Sequence, residues 1–407
     1  MDRTDAMAMD DRDPLRALRD RFALPDGVIY LDGNSLGALP KSTPDRLAHA
    51  IRHEWGERLI RSWNEADWWH ASRRVARGLA PLLGATADEI AVADSTSVNL
   101  FKLMVAGLRT RPDRPVLVVE RHAFPTDVYI ARSVAELFGG QIRFIDEQSG
   151  LPAVLDERVG VVCLSQVDFR TGEMWPAVRT TADVHEVGAL MLWDLCHSAG
   201  AVDVDLRGWG ADLAVGCGYK YLNGGPGAPA YMFVAAELQA GLRTPLPGWH
   251  GHADPFAMTH EYRPAPGIGQ WANGTPPVLS LLALEDAVDT LAGVSTADLR
   301  AKSVRLTGLF IDLVTDRCPG VEVGTPREEQ RRGSQVSLRL DQAYQLVQAL
   351  IERGVIGDFR APDIARFGFA PAYSRYVDVW DAVEMIAEVM ASGAHLAQRF
   401  MTRSAVT

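Results

Sequence analysis

Apolar residues along this chain fall into two alternating rhythms. Short unbroken runs, such as Val-Leu-Val-Val at 116–119, Val-Val-Cys-Leu at 161–164 and Leu-Met-Leu-Trp at 190–193, read as strands buried on both faces. Between them lie longer amphipathic stretches with helical spacing. The pattern predicts strands at 89–93, 115–119, 141–145, 159–164, 189–193 and 213–215. It predicts helices at 72–83, 98–108, 126–138 and 180–187. Such alternation is the signature of an α/β unit with a mainly parallel sheet.

Outside this run the reading is sparser. A short charged helix is expected at 13–22, a brief strand at 28–31, and a helix at 43–55 opened by Pro44 and Asp45. After Gly225 the chain becomes loop-rich, and 245–277 holds seven prolines with little periodicity. Pro276-Pro277 then opens an apolar helix, 278–292. A helix at 299–314 bridges into a smaller unit with strands near Val321 and at 335–340, a helix at 343–353 and a final helix at 380–400. The expected division is an N-terminal segment, 1–45, packing with the small domain, a large domain, 46–290, and a small C-terminal domain, 291–407.

Composition narrows the partners. The 407 residues carry a net charge of −11, which argues against a nucleic-acid footprint. Cys163, Cys196, Cys217 and Cys318 are scattered without a Cys-x-x-Cys pair, so a reduced, cytoplasmic setting is expected. The polar, acidic start lacks the chemistry of a signal peptide, and no apolar run is long enough to cross a bilayer. His49 and His53 stand four apart on a helix, but no Glu completes a metal motif, so no metal is expected.

In a parallel sheet, ligands bind at the carboxyl ends of strands. Asp194 ends the strand at 189–193, and His197 follows three residues on. Lys220 follows the strand at 213–215, between Gly216-Cys217-Gly218 and Asn223-Gly224-Gly225-Pro226-Gly227. Ser95-Thr96-Ser97 stands at a helix N-terminus, where free amides and the dipole favour phosphate. Each has a plain alternative: N-capping for Thr96 and Ser97, a turn for Asp194, a surface amine for Lys220. Together, a phosphate cradle, a carboxylate and a lysine able to form a Schiff base are what pyridoxal 5′-phosphate requires. Trp63, Trp68 and Trp69 form a cluster of the kind that usually packs a core, but their polar, loop-like segment makes a ligand wall a second reading.

Longer motifs carry a resemblance. Leu-Asp-Gly-Asn-Ser-Leu-Gly at 31–37, Phe-Pro-Thr-Asp at 124–127, Asp-Leu-Cys-His-Ser-Ala-Gly at 194–200, Gly-Tyr-Lys-Tyr-Leu-Asn-Gly-Gly-Pro-Gly at 218–227 and Gly-Trp-His-Gly-His at 248–252 resemble kynureninases, from about Tyr30 to the final helix. The resemblance implies the pyridoxal-phosphate transferase fold type I: a mainly parallel seven-stranded sheet flanked by helices, with a smaller α+β C-terminal domain. It implies hydrolytic cleavage of L-kynurenine, with 3-hydroxykynurenine as a further substrate, in tryptophan degradation.

Residue by residue, it implies that Lys220 bonds the cofactor and moves protons, with Tyr219 as acid or relay and Asp194 on the pyridine nitrogen. His197 would lie beside the cofactor and Phe124 would stack on it, with Asp127 and Asp168 nearby. Thr96, Ser97 and Tyr219 would hold the phosphate. Trp249 and Thr275 would reach the phosphate of the neighbouring subunit, making a homodimer with shared active sites. Arg366 would clamp the substrate carboxylate, a task suited to a bidentate fork, with Arg360 a weaker rival. Trp63 would help choose the substrate ring.

Two rivals stand beside this reading. One is another enzyme of the same fold, such as an aminotransferase or a cysteine desulfurase, whose nucleophilic cysteine could only be Cys318. The other is a non-enzymatic protein on the same scaffold, which the intact set Asp194, His197, Tyr219, Lys220 and Arg366 disfavours.

Overall fold

The computed structural model describes residues 1–403. Its central sheet has seven strands: β1 (Ile90–Val92), β2 (Val116–Glu120), β3 (Gln141–Ile145), β4 (Val159–Ser165), β5 (Leu190–Asp194), β6 (Leu213–Cys217) and β7 (Ala230–Val234). Their order is β1-β7-β6-β5-β4-β2-β3. Strands β2 to β6 are parallel, and β7 runs against both its neighbours, β6 and β1. Every residue of β4 to β7 is buried, which is why these strands appear as continuous runs rather than alternating ones.

The two faces of the sheet feed different cores. Leu117, Val119 and Val161 meet Leu100, Leu103 and Met104 of the helix α1 (Thr96–Arg109) on one side. Val116, Val118 and Val162 meet Val184, Leu164 and Met191 on the other. Burying each such side chain contributes about 1.5–3 kcal/mol. The result is a rigid frame whose carboxyl edge can hold polar residues at fixed positions.

A second, antiparallel sheet is built from β8 (Glu322–Val323), β9 (Gln335–Arg339), β10 (Asp358–Arg360) and β11 (Ile364–Gly368), in the order β8-β9-β11-β10. It has its own core, in which Phe310 stacks with Phe367 and Phe369 beneath Val383 and Ile386 of the helix Tyr376–Ser392. The N-terminal segment touches both units. Helix Arg3–Asp11 packs against Tyr376–Ser392, whereas Leu15, Leu18 and Phe22 join the core of the large sheet. Ile29–Tyr30 then pairs in parallel with Val355–Ile356.

Several elements differ from the sequence pattern. Strand β7 lies inside the region read as loop. The helix expected at 43–55 is α-helical only over Thr43–His49 and widens to a π-helix over Ala50–Arg58. That widening accompanies burial of Glu54, whose carboxylate accepts from Arg46 at 2.9 Å and Trp68 at 2.7 Å. The charged stretch at 13–22 is a 3-10 helix, Arg16–Arg21, and the final helix stops at Gly393 in a left-handed C-cap. Among the described residues, no helix is long and apolar enough to cross a membrane.

Candidate active site

The carboxyl edge of β4, β5 and β6 opens into a cavity, and the sequence places its chemistry there. Asp194 is the last residue of β5, buried, and its Oδ1 accepts from the Cys196 amide at 2.7 Å. Lys220 lies just past β6, where the backbone of the 31–37 motif closes on it. The Gly37 amide donates to the Tyr219 carbonyl at 2.8 Å, and a Cβ on Gly37 would stand 2.3 Å from the Lys220 carbonyl. Only glycine allows that approach, so the N-terminal motif serves to seat the lysine loop.

Lys220 Nζ lies 2.9 Å from His197 Nε2. Burial first, and the lysine's charge second, hold His197 well below the ordinary histidine range, so the ring is neutral. Asp127, at the start of helix Pro125–Leu137, hydrogen-bonds Asp194. Burial and the neighbouring carboxylate push Asp127 far above the ordinary carboxyl range, so Asp127 carries a proton. Tyr219 is pushed up as well, chiefly by burial, and stays a phenol.

The remaining walls are a helix start and an aromatic pair. Thr96 and Ser97 open α1, capped by Ser95, and a helix start leaves its first amides free to meet an anion. Phe124 meets Phe169 edge to face at 5.4 Å. Eight of the expected residues line this single cavity: Thr96, Ser97, Phe124, Asp127, Asp194, His197, Tyr219 and Lys220. Hydroxyls at a helix start, a buried carboxylate and a nearby amine are a donor set that fits pyridoxal phosphate. Ser165, Phe169 and Cys196 also line it, with no sequence signal to find them.

Arg366 reaches the same region from β11. Its guanidinium is fully buried and grips Asp358 with two bonds, Nε to Oδ1 at 2.8 Å and Nη2 to Oδ2 at 2.5 Å. Nη1 donates to the Phe169 carbonyl at 2.5 Å and Nη2 to Ser35 Oγ at 2.9 Å. Arg360 also pairs with Asp358, at 2.6 Å. Burial raises Asp358, but the two guanidinium charges override it and leave it lowered. Asp32 shares this cluster. Burial, then the charge of Asp358, pushes it up to about 8.

Besides Arg366, which meets the cavity only through the Phe169 carbonyl, four expected residues are not brought into its wall. The Asp168 carboxylate closes its own turn, accepting from the Arg170 and Thr171 amides and the Thr171 hydroxyl. Trp249 and Thr275 face outward. Trp249 joins an aromatic surface in which Trp69 contacts Trp63, Trp249, His250 and Phe256. Trp63 belongs to that surface, meeting Trp68 edge-on at 6.0 Å.

A seven-stranded sheet with one reversed strand, an acid ending β5 and a lysine beyond β6 define the fold type I class of pyridoxal-phosphate enzymes. Solved structures agree on the fold. A cysteine desulfurase from Thermococcus onnurineus NA1 superposes with a TM-score of 0.79 at 16% identity, over 92% of this chain and 98% of its own. A C-DES mutant with glycine covalently linked to its PLP cofactor gives 0.80 at 16%, over 91% and 99%. Sequence is more specific. Residues 299–386 match the family model for the kynureninase C-terminal domain. Kynureninase from Burkholderia mallei (strain SAVP1) is 50% identical, and that from Pseudomonas fluorescens 47%, each over 100% of this chain and 99% of the relative. The chain belongs to the kynureninase family.

Proposed function

We propose that this protein hydrolyses L-kynurenine to anthranilate and L-alanine with pyridoxal phosphate, one water being consumed as the Cβ–Cγ bond breaks. The observation that carries the reading is the convergence of Lys220, Asp194 and His197 in one cavity of a chain half identical to proteins named kynureninase. Bound pyridoxal phosphate would supply an electron sink for charge developing on the substrate's α-carbon.

The protein's own groups divide the remaining tasks. Asp194, hydrogen-bonded by Asp127, would pair with the pyridine nitrogen and hold a proton there. Thr96 and Ser97 would bind the phosphate, aided by the Tyr219 hydroxyl. Phe124 would cover the ring. Lys220 Nζ would take the substrate's α-proton and return it, with Tyr219 as acid or relay. General acid–base steps of this kind are worth roughly 10²–10⁴-fold. Arg366 would orient the substrate α-carboxylate. Asp168 would act through its turn, which presents the Phe169 carbonyl to Arg366, rather than through its carboxylate.

The reading includes a cytoplasmic homodimer in tryptophan degradation. Trp249 and Thr275, outward on their own chain, would complete the neighbour's phosphate site, and the Trp63 surface would face its substrate ring. The separate cores favour a large domain at 46–290 and a small one at 291–407, with the segment at 1–45 packing on the small domain through Ala6 and Leu31 and on the large one through Leu15, Leu18 and Phe22. A desulfurase reading has little support, because Cys318 is buried and burial pushes its thiol up to about 11. The test is incubation with L-kynurenine, following anthranilate fluorescence, with 3-hydroxykynurenine and L-cysteine as parallel substrates. Sulfide release without anthranilate would overturn the assignment.

A further inference from the structure

Gln335 enters the site from β9, the strand beside β11, with Gln335 opposite Gly368 and Ser337 opposite Arg366. It is buried, and its amide nitrogen faces two carbonyls, Phe169 at 2.9 Å and Asp168 at 3.3 Å. Carbonyl oxygens only accept, so the amide cannot be turned over without losing both bonds. Its oxygen therefore faces His197 Nδ1, at 3.1 Å, and that nitrogen must carry a hydrogen. A neutral imidazole has one N–H. The lone pair is thus on Nε2, the atom that meets Lys220 Nζ at 2.9 Å.

We propose that Gln335 is a positioning residue, which fixes the tautomer of His197 and thereby aims an acceptor at the Lys220 amine. The small sheet then delivers two things in one docking event. Arg366 and Gln335 both donate to the Phe169 carbonyl, so the carboxylate clamp and the lysine's support share one anchor. Removing Gln335 leaves Nδ1 without its acceptor. The hydrogen is then free to move to Nε2, where it points at the amine instead of receiving from it.

The inference rests on the proposed function only in taking Lys220 as the reactive amine. The test is nitrogen-15 NMR of histidine-labelled, cofactor-free protein, with His197 assigned by its absence in His197→Gln. Wild type is expected to show Nδ1 protonated and Nε2 bare. Gln335→Leu, which removes the acceptor opposite Nδ1, is expected to give a mixed or reversed tautomer. In the loaded enzyme Gln335→Leu should lower kcat about 10- to 100-fold, the range seen when a histidine's orienting partner is removed. KM should stay within about twofold. A proton on Nε2 in wild type would refute the proposal even if no variant folds. So would an unchanged tautomer in Gln335→Leu, or a raised KM with kcat intact. A wild type that does not turn over L-kynurenine would count against the functional reading, and the nitrogen spectrum would still decide this one.

Discussion

The cluster around Arg366 makes a prediction about pH. At neutral pH it holds two guanidinium ions, Arg360 and Arg366, one carboxylate, Asp358, and Asp32, whose raised value of about 8 keeps it protonated. The sum is one positive charge, which a substrate carboxylate brings to zero. Above pH 8 Asp32 ionises, the sum before binding falls to zero, and the incoming carboxylate adds an uncompensated charge. Tyr30, pushed up by burial and by both acids, does not titrate in this range.

The size of the effect follows from the spacing. Ser35 lies between the two groups: its amide donates to the Asp32 carbonyl at 2.9 Å, and its hydroxyl donates to Asp358 Oδ2 at 2.5 Å and accepts from Arg366 Nη2 at 2.9 Å. A clamped carboxylate would therefore stand on the order of 6 Å from Asp32. Two unit charges so placed repel by about 3 kcal/mol at an effective dielectric of about 20, roughly 100-fold in affinity. With screening by solvent and salt, kcat/KM should fall about 10- to 100-fold as pH rises through 8. Asp32→Asn should remove that fall. The substrate's own ionisations are common to both enzymes, so the ratio of their kcat/KM profiles isolates Asp32. A ratio that stays flat from acid to alkaline pH would refute the charge count.

Three further outcomes are expected. Lys220→Ala should abolish anthranilate release, by at least about 10³-fold if the amine carries proton transfer, with an unchanged circular dichroism spectrum; a normal rate in the folded variant would end the assignment. Lys102 is buried in α1, and its ammonium bridges Asp94 at 2.7 Å, just ahead of the Ser95 cap, and the Trp271 carbonyl at 2.6 Å. Lys102→Met should cost about 3 kcal/mol by leaving Asp94 unpaired, and thermal denaturation should show Asp94→Asn recovering part of it; equal melting of wild type and Lys102→Met would show the pair idle. If sites are shared, Lys220→Ala and Trp249→Ala chains, each inactive alone, should regain about a quarter of wild-type turnover when refolded together, and no recovery would place Trp249 outside the neighbour's site.

What could be read in advance tracked burial. Strands β2 and β4 to β6 were legible because both faces are covered and every residue is apolar or small except the acids that end β2 and β5, Glu120 and Asp194. Ala-Tyr-Met-Phe-Val of β7 carries the same signal, but it sits just after a glycine- and proline-rich loop, and the punctuation outweighed five apolar residues. Helix Arg3–Asp11 buries only Ala6, so it offers no hydrophobic stripe; a capping box between Asp2 and Asp5 and an ion pair from Arg3 to Asp381 hold it instead. Strand β11 was hidden for a different reason. A charged residue at its centre argues against an interior strand, yet Arg366 is fully buried, with Ser337 as its register partner on β9 and Asp358 on β10. Burying that charge without a partner would be prohibitive. Asp358 offsets it, while Ser35 and the Phe169 carbonyl take further donors. Asp358 lies eight residues upstream on the neighbouring strand, but Ser35 and Phe169 are remote in sequence, so no window contains the whole compensation. The position that breaks the strand pattern is also the one proposed above to meet the substrate carboxylate, in keeping with the rule that local patterns fail most often at functional sites.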